Sequence, residues 1–589
     1  MALPSLLGAV RWRRLTIVAV FIVFIWMFGL APHAPEMRTK VAGLSTSSHM
    51  TDTLILPPLP ERVPCVGPRG QLLSESEDDA LWLADIDKPY PVPFVGSHQD
   101  LGLEQTWMTA EGRYGAYGYK DERPEYNRTR VDWERVDWGD LQNKCFEANA
   151  ARFPEAAKKF TNEKRIKLRN DRSLESWRVG SRTWKEFTPT RRTALVVRGY
   201  TGYKYKPEDL WHIRSLIQET ALASGGEYAV VFLVHVKDKD KKIFESKENY
   251  ARALEEANIP PELRSITVLW DENLLESWYP KISEHATVFQ IYQPTQLFAL
   301  HYPEFDHYWQ FEMDMRFMGD AGKYLDAVGA FARNEPRKQS MERTSFFHIQ
   351  DKVGSYADLM KAVDKANNGS SHIWGPLAIP EIPNPIGPPP PAADPREDDF
   401  KWGVGEDADV VVTSFCRNVT RSPMWLFRDW VRGFDKSNSN PPRFFCPPAV
   451  MRGSRALYLA IHDAQMRLGL AVPSEATLPT FAVWHGLKVS YPPQPWYLRD
   501  VDNVEQRELW FRGGAAASSD GWVGPDPEKI PERGLTWWWT SKFPRRIMDA
   551  WFKLEREPDN AEQKDLPYVL AEKDGEIYIP NFAMHPVKT

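Results

Sequence analysis

Short apolar runs alternate with stretches of helical spacing through most of the chain beyond residue 190. Runs rich in β-branched residues predict buried strands, and apolar residues that recur every three or four positions predict helices. The predicted strands are Thr193–Val197, Tyr228–His235, Ile266–Trp270, Tyr308–Phe311 and Ala408–Ser414, and the predicted helices are Leu210–Ala223, residues 243–257 and Ala449–Leu468. Because strands that alternate with helices form parallel sheets covered on both faces, the sequence predicts an α/β fold with a mixed, mostly parallel sheet flanked by helices.

A long apolar segment stands near the N-terminus. Leu15–Ala31 carries no charge and follows the basic cluster Arg11–Arg14. As a helix it spans roughly 26 Å, which is enough for a thin bilayer. The cations before it place residues 1–14 in the cytoplasm and predict the signal-anchor of a single-pass type II membrane protein. The alternative is a cleaved secretory signal, and in both cases residues 33–589 lie in the lumen of the endoplasmic reticulum or Golgi.

Composition narrows the class of protein. The chain has 74 Lys and Arg against 80 Asp and Glu, a net charge of −6 that argues against nucleic acid as a partner. A mean hydropathy of −0.49 excludes a polytopic transporter. The sequons at Asn127, Asn368 and Asn418 are typical of a secretory glycoprotein. Four cysteines permit two disulfides, and Cys65–Cys145 with Cys416–Cys446 is the simplest of three pairings; four buried free thiols are the alternative.

Changes in composition divide the rest of the chain. Residues 32–60 are small and polar, as expected of a stem between a membrane and a folded part. Residues 61–190 are rich in Trp and charge without clear periodicity, and they are predicted to form an irregular N-terminal extension on the core. A proline-rich loop, residues 376–400, separates residues 191–375 from residues 401–589, because proline continues neither a helix nor a central strand.

The most informative stretch is a pair of acids directly after a predicted strand. Glu312 and Asp314 follow Tyr308–Phe311, and residues two apart point the same way from a strand. Paired carboxylates at a strand end suit a hard divalent cation, Mn²⁺ or Mg²⁺, that also binds substrate phosphates and neutralises a departing diphosphate. The alternative is a pair of solvated surface carboxylates.

Four residues are further candidates for metal binding or proton transfer. His485 and His585 are predicted metal ligands, because a neutral imidazole late in the chain can complete a metal shell; a structural histidine is the alternative. Glu475 and Asp409 are predicted catalytic residues, either of which could act as general base on an acceptor hydroxyl. A capping or loop role is the alternative for Asp409.

A glycine-containing block after the first predicted strand is a candidate for nucleotide binding. Ligands of α/β proteins bind at the carboxyl ends of strands, glycine lets a backbone approach a nucleotide, and arginine pairs with phosphate. The residues predicted to contact the nucleotide and its diphosphate are Arg198, Gly199, Tyr200 and Lys488. An ordinary turn is the alternative for the glycine block.

The triple tryptophan Trp537–Trp539 either belongs to the hydrophobic core or forms the rim of an acceptor site.

Several blocks resemble a fungal family of single-span proteins whose shared domain has no assigned function. They are Arg198–Tyr200, Tyr308–Arg316, Gly405–Asp409, His485–Lys488 and His585–Lys588, spread over roughly residues 190–589. That family is similar in turn to nucleotide-sugar glycosyltransferases of the GT-A type. The Tyr-Trp-x-x-Glu core of the second block is shared with fungal Golgi α-mannosyltransferases, which carry manganese and use GDP-mannose.

The resemblance implies roles in metal and diphosphate binding for Glu312 and Asp314. Met313 stands where the mannosyltransferases have proline, so the resemblance does not fix the donor sugar. It implies a GT-A-like fold in which residues 191–375 form the nucleotide-sugar-binding half and residues 401–589 form the acceptor side with a C-terminal tail.

Taken together, these patterns predict a membrane-anchored lumenal glycosyltransferase. It would move a sugar from a nucleotide diphosphate donor to a hydroxyl of a glycan or glycoprotein, assisted by Mn²⁺ or Mg²⁺. A non-catalytic glycan-binding or scaffold protein on the same fold is the alternative, since fold does not fix function. A glycoside hydrolase, whose two carboxylates lie about 5–9.5 Å apart, is a further one.

Overall fold

The computed structural model describes most of the chain between residues 58 and 587. The described residues are 58–91, 96, 98–121, 128–169, 188–344, 348, 353–414, 416–420, 425–435, 440–497, 534–538, 541–554 and 566–587. They lie within one compact unit. The predicted signal-anchor Leu15–Ala31 and the sequon at Asn127 lie outside these residues. In the part of the chain that is described, no helix has the length and apolar character needed to cross a membrane.

A seven-stranded sheet lies at the centre of the described chain. In chain order the strands are β1 Trp107–Met108, β2 Thr193–Tyr200, β3 Tyr228–His235, β4 Thr267–Trp270, β5 His307–Phe311, β6 Arg316–Phe317, β7 Val410–Val412, β8 Arg417–Asn418, β9 Phe444–Phe445, β10 Val450–Ser454, β11 Val489–Ser490, β12 Ala571–Lys573, β13 Glu576–Pro580 and β14 Ala583–Met584. The central sheet has the order β11-β7-β10-β5-β2-β3-β4. Its pairs are parallel except that β10 runs antiparallel to β5 and β7.

The central sheet is buried on both faces. Alternate residues of β2 enter different apolar cores: Ala194 and Val196 lie in one, and Leu195 and Val197 in the other. Burial on both faces explains why β2 and β3 are continuous apolar runs rather than alternating ones. The predicted α/β class, with a mostly parallel sheet flanked by helices, is therefore confirmed.

Helices connect the strands and cover the two faces. The α-helices of the described chain are His98–Leu101, Ala110–Tyr114, Trp138–Ala148, Pro207–Leu216, Lys247–Glu256, Glu272–Trp278, Thr287–Gln290, Gln293–His301, Ala321–Asn334, Ser340–Thr344, Tyr356–Ala366, Arg455–Leu468, Ser474–His485 and Phe543–Trp551. The two helices between β10 and β11 belong to the core that contains Ala194, whereas the helix after β2 belongs to the core that contains Leu195.

The elements that flank the first connection are longer than predicted. All eight residues of β2 pair with β3, so the strand continues to Tyr200 instead of ending at Val197. The helix predicted over Leu210–Ala223 begins at Pro207 and continues after Leu216 as a π-helix, Ile217–Leu222. Apolar spacing alone did not distinguish the wider π-turn from α-helix.

The helix predicted over Ala449–Leu468 is wrong in its first part. Val450–Ser454 forms β10, which pairs residue by residue with β5. The helix then begins at Arg455, after Ser454 accepts a hydrogen bond from Leu457 N as its N-cap. The apolar residues of a buried strand ran directly into those of the helix, so periodicity placed no boundary between them.

Part of the predicted irregular extension, residues 61–190, is described and is tied to the rest of the chain. Its strand β1 pairs with β13, close to the end of the chain. In the helix Ala110–Tyr114, the buried Arg113 forms an ion pair of 2.6 Å with Glu219 of the π-helix. Short helices and this strand thus fasten the extension to the core.

Both disulfides and the proline-rich loop lie within the described residues. Cys65–Cys145 and Cys416–Cys446 are bonded, so the simplest of the three pairings is confirmed. Residues 376–400 form no α-helix and no strand of a sheet, as their prolines predict. The loop buries Ile379, Ile382 and Ile386 in the core, so it packs against the protein along part of its length.

Candidate metal centre

The carboxyl ends of β2 and β5 meet at one edge of the central sheet. The two strands are parallel neighbours with Val197 opposite Phe311, so the next residues, Arg198 and Glu312, lie side by side. Arg198 Nη2 is 3.8 Å from Glu312 Oε1. In open α/β sheets, ligands bind outside the carboxyl ends of strands at the point where the strand order reverses. That point lies between β2 and β5, because β3 and β4 follow on one side of β2 and β5 lies on the other.

Glu312 and Asp314 lie in a turn that follows β5. Met315 N donates to Glu312 O at 3.2 Å, which closes the turn. The fully buried Arg316 donates to the carbonyls of Met313 and Met315 and holds the turn from the inside. The prediction that both acids project from one strand face is therefore wrong, since β5 ends before them. The turn, rather than strand alternation, sets the direction of the two carboxylates.

The C-terminal segment brings a histidine to the two acids. β14 pairs with β6, directly after the acidic turn, and Val587 N donates to Asp314 O at 2.7 Å. His585 Nε2 lies 3.1 Å from Glu312 Oε2 and 3.6 Å from Asp314 Oδ1. The imidazole also packs against the buried Trp537, with 5.3 Å between ring centroids. Three of the four residues predicted as metal ligands are thus brought together, and Trp537 belongs to the core that supports them.

These three side chains fit a divalent cation. One ligand atom from each of Glu312, Asp314 and His585 lies within 4.8 Å of the others. Two ligands of one ion, with bonds of about 2.0–2.2 Å, are at most about 4.4 Å apart, so small side-chain rotations suffice. Oxygen ligands suit Mg²⁺ and Mn²⁺, and the imidazole extends the range toward Zn²⁺. The two carboxylate side chains are 23% and 16% exposed, so a substrate can reach the centre from solvent.

In the metal-free protein a proton on His585 balances the two carboxylates. Burial disfavours the imidazolium, but hydrogen bonds and the negative charges of Asp314 and Glu312 outweigh it and raise the pKa of His585 to about 9. Burial opposes ionisation of Glu312, yet the hydrogen bond from His585 and the charge of Arg198 lower its pKa. A dication that binds here therefore displaces a proton from His585 at neutral pH.

Glu475 lies near this centre, in the first turn of the helix Ser474–His485. Its Oε2 accepts a hydrogen bond of 3.3 Å from Trp425 Nε1. Burial and the negative charge of Glu312 raise the pKa of Glu475, against the hydrogen bond from Trp425, which lowers it. A carboxylate with a raised pKa accepts a proton more readily than an ordinary one. The placement therefore keeps Glu475 as the candidate general base.

Asp409, Lys488 and His485 lie at the opposite edge of the sheet. Asp409 and Lys488 directly precede β7 and β11, which run in the same direction as β5, and His485 lies three residues before Lys488. All three are therefore beside the amino end of β5, whereas Glu312 follows its carboxyl end. Five residues of strand at about 3.3 Å each separate the two edges by roughly 16 Å. The predictions that placed these three residues with Glu312 disagree with this geometry.

Each of the three has a structural environment instead. Lys488 Nζ donates to three backbone carbonyls at 2.7–3.0 Å. Asp409 accepts hydrogen bonds from Ser454 Oγ and from the backbone N of Lys488. Burial lowers the pKa of His485 to about 4, so its ring is neutral, and neither ring nitrogen has a hydrogen-bond partner in the described part of the chain.

Replacing Lys488 by methionine is expected to destabilise the protein without weakening metal binding. Methionine has a similar length but no donor, so three carbonyls lose their partner, and a buried polar group left unpaired costs about 1–3 kcal/mol. We expect the free energy of unfolding in urea to fall by about 3 kcal/mol or more, with the Mn²⁺ affinity of the folded protein unchanged. If Lys488→Met kept the stability of the wild type but lost affinity for the metal or the nucleotide, Lys488 would have to be assigned to the binding site.

Gly199 is required by packing within the sheet. A Cβ at this position would lie 2.7 Å from the ring of Phe232, so a larger residue would force this buried ring to move. The predicted reason for the glycine, close approach of a nucleotide, is not needed to explain it. Tyr200 differs, because its side chain is 41% exposed at the carboxyl end of β2.

Sequence analysis missed further residues at the same edge. Lys237 lies over the Tyr200 ring, with Nζ 3.7 Å from the ring centroid. His235 and Trp270, at the ends of β3 and β4, stack with centroids 4.0 Å apart and an interplanar angle of 9°. Their position at the carboxyl ends of predicted parallel strands was a signal that could have identified them.

A known protein family matches most of the chain. A family model described as "Protein of unknown function (DUF3405)" matches residues 108–589, which is most of the chain and includes Glu312, Asp314 and His585. A search of curated proteins found no match.

Proposed function

The chain belongs to the DUF3405 family, and we propose that it is a metal-assisted glycosyltransferase. It would transfer a sugar from a nucleotide diphosphate donor to a hydroxyl of a glycan or glycoprotein. One observation carries this proposal: Glu312, Asp314 and His585 converge beside Arg198 at the carboxyl edge of a mostly parallel sheet. Two carboxylates and an imidazole next to a guanidinium form a site for a cation and a phosphate together.

The position of the centre supports a nucleotide as part of the substrate. The strand order reverses between β5 and β2, and nucleotides of doubly wound sheets bind across such a reversal. Tyr200 is 41% exposed and His235 is partly exposed along the same edge, with the buried Trp270 stacked behind the His235 ring, so the Tyr200 and His235 rings can contact a base. We therefore propose a GT-A-like arrangement, with the donor across β2, β3 and β4 and its diphosphate at the metal centre.

The chemistry follows from the charges of the side chains. The ion that Glu312, Asp314 and His585 would hold supplies positive charge opposite the departing diphosphate. Arg198, which lies beside Glu312, would donate to a phosphate oxygen of the donor. Glu475 takes the proton of the attacking acceptor hydroxyl, a role for which its raised pKa suits it.

The other candidate functions are less well supported by this geometry. A retaining or inverting hydrolase needs two carboxyl groups at least about 5 Å apart on either side of a sugar. Here Glu312 and Asp314 lie on one turn and both face the same imidazole, instead of facing each other across a cleft. A glycan-binding scaffold without catalysis would not require the three ligands to converge at all.

The compartment is part of the same proposal. Two disulfides form and persist in oxidising compartments, which agrees with a lumenal location. With Leu15–Ala31 as a signal-anchor, the described residues would face the lumen of the Golgi or endoplasmic reticulum, where nucleotide sugars and glycoprotein acceptors meet.

Nucleotide binding tests the proposal directly. Thermal unfolding of the purified full-length chain is measured with GDP, UDP or neither, each with Mn²⁺ or with a chelator. A nucleotide at about 100 times its dissociation constant stabilises by about 2.7 kcal/mol, which gives a clear rise in melting temperature. We expect this rise with one nucleotide and only with Mn²⁺, and a smaller rise in Arg198→Met. If neither nucleotide shifts the folded protein, the transferase proposal fails and the scaffold alternative takes its place.

A further inference from the structure

A strip of aromatic side chains leads away from Glu475. It begins at Trp425, whose Nε1 donates to Glu475 Oε2 at 3.3 Å. The ring of Phe427 lies 6.3 Å from Trp425 and 5.7 Å from Phe289, and Phe289 stacks on Trp430 with centroids 4.7 Å apart. These four rings, called the aromatic strip below, are each partly exposed. They connect the candidate general base to the open surface of the protein.

Apolar side chains along the strip are unusually exposed. Leu426, between the first two rings, is 83% exposed, and Val288, beside Phe289, is 48% exposed. Single exposed apolar residues are ordinary, but a contiguous set of aromatic and aliphatic groups usually marks a binding surface. The strip is therefore a candidate for a ligand that needs both apolar faces and a carboxylate at one end.

The chain segments around the strip are linked to the helix that carries Glu475. The disulfide Cys416–Cys446 ties together the chain on either side of it, and Cys446 N donates to Glu475 O at 2.9 Å. On the other side, Ile291 N donates to Ser474 Oγ at 2.7 Å, which anchors the segment that carries Phe289.

The polar groups beside the strip are balanced in charge. Arg428 pairs with Asp429 at 3.0 Å, and Arg432 pairs with Glu284 at 3.2 Å while lying over the Trp430 ring. Anionic membranes and nucleic acids attract surfaces with an excess of Lys and Arg, which this rim does not have. Paired guanidinium and carboxylate groups instead offer donors and acceptors to neutral hydroxyls.

We propose that the aromatic strip binds a neutral oligosaccharide, the acceptor of the transfer, and presents one of its hydroxyls to Glu475. Sugar rings have apolar C–H faces that pack on aromatic rings and hydroxyl edges that bind to the charged rim. The name acceptor rests on the proposed function, but the binding itself requires neither the nucleotide nor the metal. The strip therefore assigns the substrate class and places it beside Glu475.

Binding is measured with the full-length chain in a chelator and without nucleotide. The probes are three neutral trisaccharides, α-1,6-mannotriose, β-1,3-glucotriose and chitotriose, at millimolar concentration, and binding is followed by calorimetry. We expect at least one to bind, and Trp430→Ala to weaken that binding about tenfold or more. Leu426→Ser, which cannot disturb the fold at 83% exposure, is expected to weaken it as well. Trp82→Ala is the matched control, since Trp82 is also partly exposed beneath an arginine and lies elsewhere.

Each outcome decides between stated possibilities. Absence of binding by all three trisaccharides overturns the inference, and so does equal binding by wild type, Trp430→Ala and Leu426→Ser. Strip-dependent binding to phosphatidylcholine vesicles in place of sugars would assign the strip to a membrane surface and would also overturn it. Sugar binding without any metal-dependent nucleotide binding would leave the strip in place while the transferase proposal fails. If transfer is measured, the strip variants should raise the acceptor KM and leave the donor KM unchanged.

Discussion

Replacement of Asp314 by asparagine is expected to lower sugar transfer by about a hundredfold to a thousandfold. Asparagine keeps the size of the side chain but removes one of the two negative charges that face His585. The ion at Glu312 and His585 would then be held more weakly and would be less able to neutralise the departing diphosphate. Removal of one group that stabilises transition-state charge commonly costs a factor of this size. The measurement is the release of nucleotide diphosphate from the donor, together with Mn²⁺ affinity by calorimetry.

A matched control separates this effect from a general loss of acidic charge. Asp407 also lies in an acidic block, but it pairs with Arg333 at 2.8 Å at an exposed position. Asp407→Asn is expected to keep both the Mn²⁺ affinity and the rate of transfer. Raised Mn²⁺ is expected to restore part of the rate of Asp314→Asn. Wild-type metal affinity and activity in Asp314→Asn would refute the assignment of the centre.

The stability of the metal-free protein is expected to fall as the pH rises from about 6.5 to 9. The pKa of His585 rises from 6.5 to about 9 on folding, because Asp314 and Glu312 favour the imidazolium. A group with a raised folded pKa stabilises fully below its unfolded pKa, and this contribution is lost as the pH rises through the folded pKa. At 1.36 kcal/mol for each pKa unit, the contribution of His585 is about 3 kcal/mol. Urea unfolding in a chelator, at several pH values, measures it.

Saturating Mn²⁺ is expected to abolish this trend, because His585 then carries no proton in the folded protein and, above its ordinary pKa of about 6.5, none in the unfolded chain either. The ion takes the place of the proton, so metal binding and the stability it adds increase with pH until His585 is fully deprotonated. His585→Gln keeps a hydrogen-bond donor but cannot titrate, so it should show neither trend in this pH range. A variant with the same pH dependence as the wild type would mean that another group is responsible.

The sheet was predictable in large part because most of its strands carry their own local signal. The apolar runs at β2, β3 and β4 have no polar positions, which is expected only where both faces are buried. β10 was missed because its apolar residues run directly into a helix, and an antiparallel strand inserted into a parallel sheet leaves no local mark. Strand order and direction depend on contacts between residues far apart in the chain, such as Gly453 opposite Tyr308.

The candidate site was partly predictable for a similar reason. Glu312 and Asp314 were found because both acids directly follow a buried strand, and such positions form the carboxyl edge. His485 and Lys488 were chosen by residue type, yet they lie before β11, at the other edge of the sheet. Trp425 gave no signal at all, because its link to Glu475 spans 50 residues.

By itself, the sequence determined the α/β class and the paired acids after β5. These features depend on residues close together in the chain, or on local burial that residue type reports directly. Only the tertiary structure decided which distant residues complete the centre. His585 lies 273 positions after Glu312, and the pairing of β14 with β6 brings the two together. No local sequence pattern indicates that His585 and Glu312 are in contact, because this contact results from the packing of the whole chain.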